Sequence, residues 1–201
     1  IRMVYSQADA LALAECNPSR EVVFFAIGFE TTTPPTAVAL RDARRRGLDN
    51  FSVLCNHVLT PAAIAHILDA PAAGNRDAVA LDGFVGPAHV SIVIGWRAYE
   101  DFARRYRKPV VIAGFEPLDV MQAVLMLVRQ VNQGRACVEN EFIRAVGPDG
   151  NRAAQQLMSE TFVLRESFEW RGLGSVPASA LAIAPAYADL DAERRFGLSY
   201  R

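Results

Sequence analysis

Val22-Val23-Phe24-Phe25-Ala26-Ile27-Gly28-Phe29-Glu30 and Val110-Val111-Ile112-Ala113-Gly114-Phe115-Glu116 carry one design twice. Each is an unbroken apolar run of strand length that ends in Gly-Phe-Glu and passes into a proline-containing helix start, at Pro34-Pro35 and at Pro117. Apolar runs without polar alternation fit strands covered on both faces, and such strands belong to parallel sheets. Glycine permits a sharp exit from the strand, and proline in the first helical turn sacrifices no hydrogen bond. Strand, polar turn and helix therefore form the repeating unit of an α/β fold.

The same unit extends outward from both stretches. Residues 1–5 predict a strand, and Ser6 with Asp9 predicts a capped helix to about Cys16, stopped by Asn17-Pro18. After Pro34-Pro35 a helix runs to Arg46. Gly47 follows it, and Arg44, Arg45 and Arg46 complement the negative end of its dipole. Residues 51–55 read as a strand, and Thr60-Pro61 opens a helix to about Leu68. Residues 70–80 read as a surface loop, 81–85 and 109–113 as strands, and 97–106 as a polar helix. The helix at 117–133 is apolar nearly all round, which predicts packing on two sides. Past Gly134, residues 137–146 alternate loosely, Asn151 caps a helix to about Phe162, and 163–170 read as extended. This order predicts two Rossmann-like lobes, with parallel sheets flanked by helices, facing each other across a cleft. Residues 1–58 form the first lobe, with 171–201 packing back on it, and 59–170 form the second.

Composition removes several function classes. The 201 residues are 51% apolar and carry 21 basic against 22 acidic groups, so there is no basic surplus to neutralise a nucleic-acid backbone. The longest apolar runs fall short of the ~20 residues that span a bilayer, so no membrane association is expected. Cys16, Cys55 and Cys137 are scattered with no C-x-x-C spacing, which fits a reducing, cytoplasmic compartment and argues against a disulfide framework or a zinc site. The signatures G-x-G-x-x-G, G-x-x-x-x-G-K-[ST], G-x-S-x-G and H-E-x-x-H are absent.

In open parallel sheets ligands bind beyond the carboxyl ends of the strands, where both Gly-Phe-Glu turns must lie. Glu30, Thr31 and Thr32 at the first turn, and Glu116 and Asp119 at the second, are candidate site residues. His89 and Ser91 fall in the turn Pro87-Ala88-His89-Val90-Ser91 at the same edge. Each has a structural alternative: the carboxylates can complement a helix dipole, and Thr33 reads as an N-cap. His57 follows the next strand at that same edge and is a candidate on the same terms as His89, while His66 falls mid-helix.

Gly28-Phe29-Glu30-Thr31-Thr32, Pro87-Ala88-His89-Val90-Ser91 with Gly95, and Gly114-Phe115-Glu116-Pro117 with Asp119 resemble three motifs of the hydrogenase maturation factor HypD family. Trp170-Arg171-Gly172-Leu173-Gly174 and Ile1-Arg2-Met3-Val4-Tyr5-Ser6 resemble that family too, in the same order. The resemblance implies two α/β lobes with these motifs lining the cleft: Glu30, Thr31, Thr32, His89, Ser91, Glu116 and Asp119 as working residues, and Gly28, Phe29, Pro87, Gly114 and Phe115 shaping the site. It implies a task, scaffolding the Fe(CN)2CO moiety of [NiFe]-hydrogenases with a HypC-type chaperone and a HypE-type cyanide donor. It also implies iron held by cysteine and a [4Fe–4S] cluster for the full-length family. The family's Cys-Gly-x-His-x-His and Gly-Pro-Gly-Cys-Pro-Val-Cys motifs are absent here, and so is its cysteine-rich cluster segment. The chain is therefore expected to be a central piece of the family's length that holds no metal or cluster itself. The competing expectation is a free-standing α/β enzyme that uses Glu30, His89 and Glu116 for acid–base chemistry on a small anion.

Overall fold

The computed structural model describes residues 1–69 and 81–198, so the loop read at 70–80 lies outside the described residues. In chain order the elements begin with α1 (Gln7–Cys16), β1 (Val22–Gly28), α2 (Thr33–Arg46) and β2 (Phe51–His57). They continue with α3 (Thr60–Asp69), β3 (Phe84–Pro87), α4 (Ala88–Ile94), a 3-10 turn (Trp96–Tyr99), α5 (Glu100–Tyr106), β4 (Val110–Ala113), α6 (Pro117–Asn132) and β5 (Val138–Asn140). The last are α7 (Arg152–Thr161), β6 (Phe162–Leu164), β7 (Ser167–Trp170), β8 (Gly174–Pro177), β9 (Leu181–Ile183), a second 3-10 turn (Pro185–Leu190) and α8 (Ala192–Arg195). The fold is α/β, with parallel sheets flanked by helices. The chain divides into two compact units. The first holds Ile1–Leu59, Ala153–Phe168 and the chain from Pro177 onward; the second holds Thr60–Arg152 and Glu169–Val176.

In the first unit β1 and β2 pair in parallel, from Val22 opposite Phe51 to Gly28 opposite His57. Ala26, Phe51, Val53 and Cys55 of this sheet are packed by Ala10, Leu11 and Ala14 of α1 and by Ala37, Leu40 and Ala43 of α2. The Ser6–Asp9 capping box forms as read, with Ser6 N–H donating to the Asp9 carboxylate at 2.9 Å and Asp9 N–H to the Ser6 hydroxyl at 3.3 Å. Gly47 ends α2 in the left-handed region at φ 66°, behind the three arginines. Residues 1–5 form no strand. Residues 153–168, read as part of the second lobe, pack here instead, because Phe162, Leu157 and Met158 complete this core and β6 pairs antiparallel with β9. The expectation that β1 is covered on both faces also fails. Val23, Phe25 and Ile27 are 43%, 56% and 59% exposed, because the helices and β6 of this core bury the opposite face.

The second unit is a parallel sheet in the order β3-β4-β5. Central β4 is buried throughout, as its unbroken apolar run predicts. On one face α4, the first 3-10 turn and α5 contribute Ala88, Tyr99, Phe102 and Ala103 to a core with Val110 and Ile112. On the other, Ala123, Met126 and Leu127 of α6 pack on Val111 and Ala113. The strand read at 81–85 lies further on, at Phe84–Pro87, and the helix read at 97–106 splits into the 3-10 turn and α5. Two-sided packing of α6 is not seen: Asp119, Ala123 and Gln130 are buried, while Leu118, Met121, Leu125 and Val128 remain open to solvent. One side meets the sheet, and the other carries apolar residues without a layer of this unit over them. Among the described residues no helix is long and apolar enough to cross a membrane.

Candidate functional site

At the end of β1 the chain reverses through Gly28-Phe29-Glu30-Thr31 into α2. Gly28 holds φ 110°, and a Cβ there would collide with the Thr32 hydroxyl, so glycine alone lets Thr32 fold back onto the strand end. Thr32 Oγ1 lies 3.0 Å from the Ile27 carbonyl and 3.1 Å from the Phe29 carbonyl, and Thr33 Oγ1 donates to Phe29 O at 3.2 Å. Thr33 therefore closes the turn and does not cap the helix; Thr32 occupies the cap position, with no side-chain bond to a helix N–H. Glu30 is buried at 2% exposure, whereas Phe29 and Thr31 are exposed.

Beneath this turn lies His57, opposite Gly28 in the ladder and fully buried. Its Nε2 is 2.9 Å from Thr36 Oγ1, and its Nδ1 is 3.4 Å from the Gly28 carbonyl and 3.5 Å from Thr32 Oγ1. Burial pushes the imidazole below its ordinary value, with the Gly28 carbonyl acting the other way.

The second turn, from β4 into α6, also requires its glycine. A Cβ on Gly114 would run into Asp119 Oδ2 and approach the Phe142 ring to 2.5 Å. Asp119, in the first turn of α6, is buried, and Arg144 holds both its oxygens, at 2.9 and 2.6 Å. The guanidinium lies over the Phe142 ring, 3.9 Å from its centroid. The Arg144 hydrogen bonds keep the Asp119 carboxyl below the usual carboxylate range, with the Glu116 N–H adding to them. Glu116 itself is exposed and 3.7 Å from Arg144. Pro87 pairs with Ala113 in the sheet, and exposed His89 sits edge-on to Phe115 with ring centroids 4.6 Å apart, so the two motifs of this unit meet at one sheet edge. The Ser91 hydroxyl turns back to donate to the Pro87 carbonyl at 2.9 Å and is buried.

Each unit thus presents its motifs at the carboxyl edge of a parallel sheet, where open α/β sheets bind ligands. Gly28, Phe29, Glu30, Thr31 and Thr32 gather in the first unit, and Pro87, His89, Ser91, Gly114, Phe115, Glu116 and Asp119 in the second. The surface groups are Phe29 and Thr31 in one and His89, Phe115 and Glu116 in the other. Arg144 and Phe142 escape the sequence reading. A buried aspartate in a first helical turn calls for a cation, but nothing local identifies a partner 25 positions away. His66 Nε2 meets the Leu173 carbonyl at 3.2 Å within the second unit, a packing role.

The three cysteines stand in different surroundings. Cys16 is exposed on α1, Cys55 is buried and donates to the Leu181 carbonyl at 3.3 Å, and Cys137 belongs to the other unit, 3.2 Å from Gln130 Oε1. Burial pushes the Cys55 thiol up to about 11, the wrong direction for a thiolate ligand. Among the described residues no three His, Cys, Asp or Glu side chains gather as a metal site.

Residues 1–201 match the HypD family, described as the hydrogenase formation hypA family. The chain belongs to the HypD family. It is 69% identical over 201 residues to hydrogenase maturation factor HypD of Cupriavidus necator, covering all of this chain and 53% of that protein. To HypD of Rhodobacter capsulatus it is 54% identical over 200 residues, covering 100% of this chain and 52% of the relative. To HypD of Escherichia coli K12 the figures are 43% over 196 residues, with 98% and 51% covered. The chain spans about half the length of the curated HypD relatives it matches.

Proposed function

We propose that this chain supplies part of the HypD scaffold on which the Fe(CN)2CO moiety of [NiFe]-hydrogenases is assembled in the cytoplasm, with a HypC-type chaperone and a HypE-type cyanide donor as partners. The observation that carries the reading is the family match over residues 1–201, which takes in both Gly-Phe-Glu turns and the Pro-Ala-His-Val-Ser stretch, read from sequence as a turn and formed as the end of β3 and the start of α4. In this scheme the chain's own residues position and polarise. Exposed His89 and Glu116 are the groups that can donate to or accept from a bound carrier, Phe115 holds the His89 ring edge-on, and the Asp119–Arg144 pair fixes the turn that carries Glu116. Iron and its ligands are the cargo of this reading. The thiols present do not suit holding it, so no step is assigned to Cys16, Cys55 or Cys137.

The test is a graft. Residues 1–201 replace the matching segment of a full-length HypD in a strain that lacks its own, and hydrogenase activity with chaperone co-purification is measured. Restored activity, lowered at least tenfold by H89A or E116Q at unchanged protein level, is the expected result. A graft that accumulates normally yet yields neither hydrogenase activity nor co-purified chaperone overturns the reading.

A further inference from the structure

We propose that His57 is a positioning residue that sets the first Gly-Phe-Glu turn from beneath, acting as a neutral imidazole with its proton on Nε2. The assignment rests on the reading of that turn as part of the working edge, but its geometry stands independently. Three groups around the ring, the Gly28 carbonyl and the Thr32 and Thr36 hydroxyls, decide where the proton sits. The Gly28 carbonyl already accepts from Val58 N–H at 3.0 Å, so it does not need the imidazole, which lies at the longer 3.4 Å. Thr36 donates its one hydroxyl hydrogen to the Thr32 carbonyl at 3.1 Å, the ordinary bond of a helical threonine to the residue four before it. Its oxygen then has a lone pair for His57 Nε2–H at 2.9 Å, the shortest contact of the ring. The reverse tautomer would take the Thr36 hydrogen away from the Thr32 carbonyl and gain only long contacts, to Gly28 O at 3.4 Å and to Thr32 Oγ1 at 3.5 Å.

With the proton on Nε2, bare Nδ1 faces the Thr32 hydroxyl at 3.5 Å, the group that a Cβ at Gly28 would strike. The Phe162 ring, edge-on at 5.9 Å, closes the remaining side. His57 therefore ties β2 to the first turn of α2 through Thr36, and it limits where Thr32 can sit against the end of β1. The turn holding Glu30 and Thr31 inherits that placement.

The tautomer can be read on the unsubstituted chain by long-range nitrogen–proton NMR of labelled histidine, free of any maturation assay. The expected signature is a single neutral Nε2–H form for His57; an Nδ1–H form or a charged ring at pH 7 overturns the assignment. Two variants then test positioning. H57Q keeps an N–H where Nε2 stood, so the amide resonances of residues 28–33 should stay in place, whereas H57N has no atom there and should shift them. Equal shifts in both variants, or none in either, overturn the positioning role. If H57N does not fold, T36V removes the same bond from the other side, and unmoved turn resonances in T36V overturn it equally. A scaffold function that fails the graft test leaves all these readouts intact.

Discussion

At the residue scale, the same motif glutamate and aspartate types reach different ends through their neighbours. Asp119 is a committed carboxylate, clamped by Arg144, whereas Glu116 three positions earlier stands at the surface, 3.7 Å from the same guanidinium. Because Asp119 is held below its ordinary value of 3.8, it contributes stability above that pH and loses it as pH falls through the depressed value. Replacing Arg144 with Met removes that contribution, so the acid-unfolding midpoint followed by circular dichroism should move to higher pH. His57 carries the opposite requirement. Its folded form stays neutral while the unfolded chain takes up a proton near 6.5, so stability falls as pH drops below about 6.5. In urea titrations at stepped pH, H57Q should flatten that part of the curve. The thiols divide in the same way. Exposed Cys16 should react with a thiol reagent on mixing, while Cys55, raised to about 11 and hydrogen-bonded to Leu181, should react only at the rate of unfolding.

At the element scale, strand exits and helix faces are where local chemistry tells most. Gly28 combines a positive φ with contact against Thr32, so G28A should cost about 2 kcal/mol or more in urea unfolding, through backbone strain and displacement of the Thr32 side chain. On α6 the two faces should respond differently. L118Q and M121Q, on the solvent side, should change stability by less than about 0.5 kcal/mol, while A123L, against Val111 and Ala113, should cost about 2 kcal/mol through overpacking. Equal costs on both faces would show that the exposed side of α6 is covered in solution. The apolar pattern of this helix was legible in the sequence, and so was its start at Pro117. Its one-sided packing was not, because hydrophobic periodicity records which residues avoid water without saying which neighbour shields them.

At the scale of the whole molecule, contacts far apart in sequence decide what belongs together. Arg165, after β6, donates to the Cys55 carbonyl at 3.2 Å and the Leu181 carbonyl at 3.1 Å, and pairs with Glu193 at 2.5 Å, joining β2, β9 and α8 of the first unit. Both side chains are about four-fifths buried, so R165M should destabilise that unit by about 3 kcal/mol, mainly by removing the cation paired with Glu193, and an R165M/E193L double variant should regain part of the loss in the same unfolding assay. This clasp also explains why residues 153–168 join the first unit, which no local pattern announces. By itself the sequence determined the α/β alternation, the parallel strands, the capping box at Ser6, the stop at Gly47 and the motif-bearing edges. Each of these follows from dihedral preference, hydrogen-bond supply or apolar period within a dozen residues. Only the tertiary structure decided that Asp119 is neutralised by Arg144, that Ser91 and Thr32 turn their hydroxyls inward, and that a buried His57 underlies the first turn. Those outcomes depend on which groups are brought within about 3 Å across long stretches of chain, and the energy of a buried charge or hydroxyl is set by that one neighbour.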